Sequence, residues 1–303
     1  MKRTAIALSV LLLLGLYIGC TRVKLNRTDY NFVTQTVYSD WQEVWEEPVM
    51  IDSLLILNTG SVQVPRSGML NEKKLKAGHG VPERLWVDVF AFLFHHKEKG
   101  WFMIDTGLDS SFQNKGNIMG LIAGKYIKKN RQEQGQNIGA QLERLNLRPV
   151  GIFFTHLHGD HTAGIPEIDK SIPLYCGKAE QYHDIPILYK PKHFNKGDAI
   201  NELDMAKGNP IAPFEQVMDV FGDGSFWALA TPGHSKSHLS FLLRTEKEII
   251  LLTGDASHTR YGFENGIEPG WAYDRLQAES SLWQLHDFAE QFPQVRVIFG
   301  HEL

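Results

Sequence analysis

The chain has 303 residues, a formal net charge of -4, 43% hydrophobic residues and 22% charged residues. That length suits one large domain or two small ones, and the composition is that of an ordinary globular protein. The slightly acidic balance speaks against nucleic acid as a partner, because its binders are usually basic.

The N-terminus reads as a targeting segment. Lys2-Arg3 is a positive region, Ala5 to Ile18 is apolar but short for a membrane-spanning helix, and the run closes on Leu16-Tyr17-Ile18-Gly19-Cys20. This resembles a bacterial lipobox, with cleavage after Gly19 and lipid on Cys20; Tyr17 stands where Leu is usual. The expected layout is residues 1–19 as signal peptide, 20–48 as tether and N-terminal extension, and 49–303 as the folded domain. The resemblance implies a protein held in the bacterial cell envelope, facing the periplasm or exterior. Lipidation would leave Cys176 as the only thiol, which excludes an intramolecular disulfide. Cys176 ends an apolar run and reads as a core residue.

Tyr30, Phe32, Tyr38, Trp41 and Trp45 punctuate the extension, either packing on the domain or lining a pocket mouth. Val49–Leu57 predicts a strand, followed by a loop over 58–80. Trp86–Phe94 and Trp101–Ile104 predict a hairpin, with His95 and His96 as solvated turn residues rather than ligands. It ends in Asp105-Thr106-Gly107, either a capping turn or a catalytic carboxylate. Residues 111–135 are poorly patterned, and apolar spacing predicts a helix over 137–146. Val150–Phe154 reads as a buried strand. After it come a short helical turn, a strand at Ile172–Cys176, a helix at Lys178–Asp184 and a long surface excursion over 185–213. Strands follow at 217–220, 226–230, 239–244, 248–252 and 295–299. Between the last two, Asp274 and Gln277 form a capping box for a helix that buries Leu282, Leu285, Phe288, Ala289 and Phe292 on one face. No linker separates the two halves. The pattern predicts an α/β fold, an αβ/βα four-layer sandwich of two mixed sheets with helices outside.

The chemistry concentrates in Thr155-His156-Leu157-His158-Gly159-Asp160-His161. Three imidazoles and a carboxylate follow a buried strand, where open α/β sheets place ligands. His nitrogen and Asp oxygen suit zinc and similar metals. With 13 His in the chain, three within six residues is not a chance density. In an extended segment His156 and His158 point the same way and can share one metal, while Asp160 and His161 turn toward another. Three further places repeat a strand, a Gly and a metal-type residue: Thr231-Pro232-Gly233-His234, Leu252-Thr253-Gly254-Asp255 and Phe299-Gly300-His301. Gly lets the backbone turn at a strand end without a side-chain clash. His238 is either an outer-shell partner or a strand residue. His79, His183, His193 and His286 have no ligand-like setting.

This set resembles the metallo-β-lactamase superfamily over nearly all of the chain from about residue 50. The resemblance implies that His156, His158 and His234 hold one zinc ion and that Asp160, His161 and His301 hold a second, with Asp255 bridging; other divalent metals could serve. A bridging Asp255 is like the dinuclear hydrolases and unlike the true β-lactamases. Asp255-Ala256-Ser257-His258-Thr259 and Ile298-Phe299-Gly300-His301-Glu302 are similar to segments of N-acyl homoserine lactonases, as are Ser67-Gly68-Met69-Leu70 and the 86–94 strand. One departure stands out: His258 occupies the place of the lactonases' Tyr.

The resemblance implies hydroxide at a two-metal site attacking a lactone or ester carbonyl. His258 would then support the oxyanion by donating a hydrogen bond, and Asp160 would relay the proton. A thioesterase like glyoxalase II, or another esterase, would use the same metal core. A lipoprotein that only binds metal would not need the complete seven-residue set. Phosphodiester cleavage lacks a basic substrate cluster, and oxygen reduction would need a flavin domain that the length excludes. The expected partners are a small lactone or ester and, through lipid on Cys20, the membrane.

Overall fold

The computed structural model describes residues 21–31, 36–113, 129–184 and 192–303. The signal-peptide and lipobox expectations, including Cys20, and that for Phe32 lie outside these residues. In chain order the elements are β1 (Thr21–Arg22), β2 (Asn26–Asp29), α1 (Trp41–Glu46), β3 (Ile51–Pro65), α2 (Arg66–Met69), β4 (Arg84–His96), β5 (Gly100–Ile104) and β6 (Lys129–Arg131). Then come α3 (Ile138–Leu145), β7 (Gly151–Phe153), α4 (Gly159–Thr162), β8 (Leu174–Gly177), β9 (His183–Asp184), β10 (Ala199–Leu203), β11 (Asn209–Ile211) and β12 (Phe214–Asp219). The remainder comprises β13 (Phe226–Ala230), β14 (Leu239–Arg244), β15 (Ile249–Leu252), α5 (Arg260–Glu264), α6 (Arg275–Gln291) and β16 (Val295–Ile298).

Two mixed sheets stack with helices outside, as the pattern predicted. One runs β2-β10-β8-β7-β5-β4-β3-β6 and the other β11-β12-β13-β14-β15-β16. Alternation along the strands explains the layering. Phe92, Phe94, Phe241, Leu243, Ile250 and Leu252 point between the sheets. Their neighbours Ala91 and Leu93 face α3, and Leu242 and Leu251 face α6. Asp274 caps α6 by accepting hydrogen bonds from the backbone N–H groups of Leu276 and Gln277. Burial of Leu282, Leu285, Phe288 and Phe292 then docks that helix on the outer face.

Topology puts the strand ends that matter on one edge. β15 and β16 are parallel, and β13 runs in the same direction because β14 is antiparallel to both β13 and β15. The Leu239 N–H donates to the Thr155 carbonyl and ties the end of β7 to the same edge of the other sheet.

Four expectations change. The loop expected from residue 58 is strand as far as Pro65: a bulge at Asn58–Gly60 restores the register, and Val62 and Val64 stay buried. His96 is buried rather than solvated; its Nε2–H donates to Asp223 Oδ2 at 2.8 Å, and its Nδ1 accepts from the Glu98 and Lys99 N–H groups. The helix expected over 178–184 is a turn that ends in β9. Ala179 is left-handed at φ 65°, and Glu180 is drawn inward to accept from the Ser237 N–H. The surface excursion contains β10, an interior strand between β2 and β8, with Ile200 and Leu203 buried.

The described aromatics before residue 49 pack on the domain. Trp41 is 1% exposed and its indole N–H donates to the Ala212 carbonyl at 3.0 Å. Its ring meets Trp45, Trp227 and Phe288. Tyr38 packs in the same cluster, and Tyr30 meets Tyr175 edge-on.

Candidate metal centre

The four strand ends converge as their shared pattern suggested, and all seven expected ligands come together in two groups. His156, His158, His234 and Asp255 form one, and Asp160, His161, Asp255 and His301 the other, with the ligand atoms of each within 4.8 Å of one another. Asp255 belongs to both. Its Oδ2 lies 3.4 Å from His234 Nε2 and 3.7 Å from His156 Nε2, while its Oδ1 lies 3.4 Å from both His161 Nε2 and His301 Nε2. Asp160 Oδ2 completes the second group, 3.5 Å from His301 Nε2 and 3.8 Å from His161 Nε2. Four ligands held tetrahedrally at about 2.0–2.2 Å from a divalent ion sit about 3.3–3.6 Å apart. The spacing therefore fits one ion on each side of Asp255.

The state of the polar atoms says the same. Of the inward-facing atoms, His156 Nε2, His161 Nε2 and Asp255 Oδ1 are buried without a hydrogen-bond partner. Orphaned polar atoms in such number are costly unless a cation meets them. His158 is exposed and Asp160 half-buried, so the centre opens to solvent on that side.

Partners behind the ligands fix which ring nitrogen faces inward. His161 Nδ1 lies 2.8 Å from Asp105 Oδ2, and His301 Nδ1 lies 2.7 Å from the Asp88 carbonyl. Carboxylate and carbonyl oxygens can only accept here, so Nδ1 carries a proton and Nε2 is the nitrogen turned inward. His156 Nδ1 is 3.1 Å from Thr155 Oγ1, whose own proton goes to Asp105 Oδ2 at 2.8 Å. Asp105 is thus settled as an outer-shell organiser, left-handed at φ 54°, which also accepts from the Thr155 N–H. His238 is settled too. Its Nε2 accepts from the Asp255 N–H at 3.0 Å, and its Nδ1 lies 2.9 Å from Thr231 Oγ1. Thr155, Thr231 and the Asp88 and Met69 carbonyls are partners that sequence reasoning missed. Only Thr155, adjacent to His156, carried any local signal.

The electrostatics are those of a site built around one buried carboxylate. Burial opposes charge on Asp255, yet the rings of His258, His161 and His301 hold its pKa well below the usual range. Burial alone would lower His161, but Asp255, Asp105 and Asp160 outweigh it and hold its pKa well above the usual value. Burial, reinforced by His161 and His158, keeps His156 well below it.

The glycines of the repeated pattern have two different reasons. Gly233 and Gly254 take left-handed φ values of 131° and 52°. Gly300 leaves room instead: a Cβ there would run into Asp255 Oδ1.

His258 lies against the same carboxylate, Nε2 3.1 Å from Asp255 Oδ2, while Nδ1 is 3.0 Å from the Met69 carbonyl. Both ring nitrogens therefore face acceptors, a carboxylate oxygen and a carbonyl oxygen. His95, His96, His79, His183 and His193 join no metal group among the described residues. His286 clusters with Asp287 and Glu290 on α6, and both of those carboxylates are exposed. Cys176 is in the core, its thiol pKa pushed up by burial.

The fold and the paired groups define a metal-binding protein whose two His- and Asp-lined ligand groups share Asp255 on the edge of an αβ/βα sandwich. The family model of the Metallo-beta-lactamase superfamily matches residues 84–301, and the chain belongs to that superfamily. An N-acyl homoserine lactonase AttM of Azorhizobium caulinodans is 26% identical over 259 residues, covering 82% of this chain and 92% of that one. An N-acyl homoserine lactonase of a Bacillus species is 29% identical over 244 residues, covering 78% and 89%. Among solved structures, a Bacillus thuringiensis AiiA variant with N-decanoyl-L-homoserine at its active site shares the fold. Its TM-score is 0.65 at 22% identity, over 84% of this chain and 95% of that one.

Proposed function

We propose that the protein is a dinuclear zinc hydrolase that opens a lactone ring of the acyl homoserine lactone type. The observation that carries this reading is Asp255, with one oxygen facing each histidine group. A site for one metal, or a store of metal, has no use for a carboxylate shared in that way. The named activity of the relatives favours a lactone over other esters.

Bound divalent ions would supply a water ionised near neutral pH and a Lewis acid for the carbonyl. The chain's own groups do the rest. Asp105 and the Asp88 carbonyl keep the Nε2 lone pairs of His161 and His301 aimed inward. His238 holds the Asp255 backbone so that its two oxygens face apart. Asp160, half-buried at the solvent side, carries the proton between the attacking water and the leaving alkoxide. His258 presents Nε2 on the same side as the Asp255 carboxylate and fixes how the reacting group sits there. We further propose that lipid on Cys20 anchors the enzyme in the cell envelope; lipid labelling that survives Cys20→Ser would refute this.

The deciding experiment combines metal analysis with kcat/KM on acyl homoserine lactones, simple lactones, glutathione thioesters, β-lactams and phosphodiesters. The expected result is two metal equivalents and lactones first. Thioesters ahead by tenfold or more would instead make it a thioesterase. No turnover on any of them, with Asp255→Ala indistinguishable from the parent, would leave only metal binding.

A further inference from the structure

We infer that Glu268 is a positioning residue for the centre, acting through Asn71 and the Met69 carbonyl on His258. This rests on the reading of His258 as a group that faces the reacting atoms. Glu268 sits outside the ligand groups, on the segment between α5 and α6, and its side chain is wholly buried. A buried carboxylate is costly unless paired, and an apolar residue would pack the same gap more cheaply.

What the carboxylate adds is direction. Oε1 accepts from Asn71 Nδ2 at 2.6 Å and from an Arg275 N–H at 3.4 Å, and Oε2 lies 2.7 Å from Lys74 Nζ. The Glu268 carbonyl accepts from the Asn71 N–H at 2.9 Å. One residue before Met69, the Trp271 N–H donates to the Gly68 carbonyl at 3.1 Å, and Gly270 packs against Ser67 and Leu70 with no room for a Cβ. The 66–74 segment is therefore pinned to the 267–275 segment on both sides of Met69. The Met69 carbonyl has one available direction, and it is the acceptor that sets the His258 ring with Nε2 toward Asp255. The three donors on Glu268 thus fix an imidazole that none of them touches.

A double-mutant cycle on the zinc-loaded protein tests this, with Glu268→Ala and His258→Phe made singly and together, and Asn71→Ala as the milder substitute should Glu268→Ala not fold. Glu268→Ala should lower kcat about tenfold with little change in KM, a coupling of about 1.4 kcal/mol. In the His258→Phe background it should lower kcat no further, while the fall in Tm stays the same in both backgrounds. An equal fall in kcat in both backgrounds would make Glu268 merely structural and overturn the inference.

A second measurement needs no substrate. In 15N-histidine-labelled protein the His258 Nδ1–H, identified by its loss in His258→Phe, should be protected from exchange and should broaden in Glu268→Ala and Asn71→Ala. An unchanged signal overturns the inference even if lactone hydrolysis is confirmed. A lost signal sustains it even if the parent hydrolyses none of the substrates and the lactonase reading fails.

Discussion

Replacing Asp105 with Asn should weaken one metal position far more than the other. Asp105 is left-handed at φ 54°, a conformation that Asn also adopts at little cost, so the turn survives the change. Its carboxylate accepts from the Thr155 N–H at 2.9 Å, from Thr155 Oγ1 at 2.8 Å and from His161 Nδ1 at 2.8 Å. An amide has one acceptor oxygen. With that oxygen kept by the Thr155 N–H, the NH2 group faces His161 Nδ1–H, donor against donor. The imidazole must then move its proton to Nε2, where it blocks the lone pair aimed at Asp255. Loss of such an outer-shell partner typically costs 10- to 100-fold in metal affinity, or about 1.4–2.8 kcal/mol. The loss should fall most heavily on the position shared by Asp160, His161 and His301; the position of His156, His158 and His234 should weaken less, because its link to Asp105 runs only through the Thr155 hydroxyl. Competition with a chromophoric chelator resolves two dissociation constants and measures this directly. Equal weakening of both positions, or of neither, would refute the assignment of Asp105 to His161.

Gly300→Ala should drive a Cβ into Asp255 Oδ1, cost about 1–3 kcal/mol of stability and leave the metal-to-protein ratio below that of the parent; full occupancy at unchanged Tm would count against the packing argument. His193 donates Nδ1–H to Thr162 Oγ1 at 2.8 Å, and burial lowers its pKa to about 3. Because its folded pKa lies below the unfolded value of about 6.5, its contribution is complete above that value and is lost as the pH falls toward 3. Between pH 7.5 and 5 that amounts to about 2 kcal/mol, so His193→Asn should show a pH-dependent loss in urea unfolding of the metal-free protein smaller by that much; an identical slope would sink the assignment. Trp41→Ala should cost about 3–5 kcal/mol because the ring is enclosed by Trp45, Trp227 and Phe288; a loss below 1 kcal/mol would show that α1 is an appendage.

The seven candidate ligands were legible because local chain geometry imposes them. A metal at a strand end needs His or Asp just past an apolar run, often with Gly where the backbone turns or another chain segment presses close. That requirement is written within five residues at each of four places. The sandwich was legible because strands buried on both faces must be apolar throughout, and α6 must carry one apolar stripe. Chain order alone could not decide what each of these residues leans on. Asp105 meets His161, Glu268 meets Asn71, and Met69 meets His258 across 56, 197 and 189 residues of sequence. A hydrogen bond across such a separation leaves no periodicity and no composition bias behind. The same holds for His96, which reads as a turn residue until Asp223 is folded against it, and for Ala179, turned left-handed in the segment where Glu180 reaches Ser237. Sequence thus determined which atoms can hold the metals. Tertiary structure decided which nitrogen of each ring faces them and, through the Met69 carbonyl, how the His258 ring is set against Asp255.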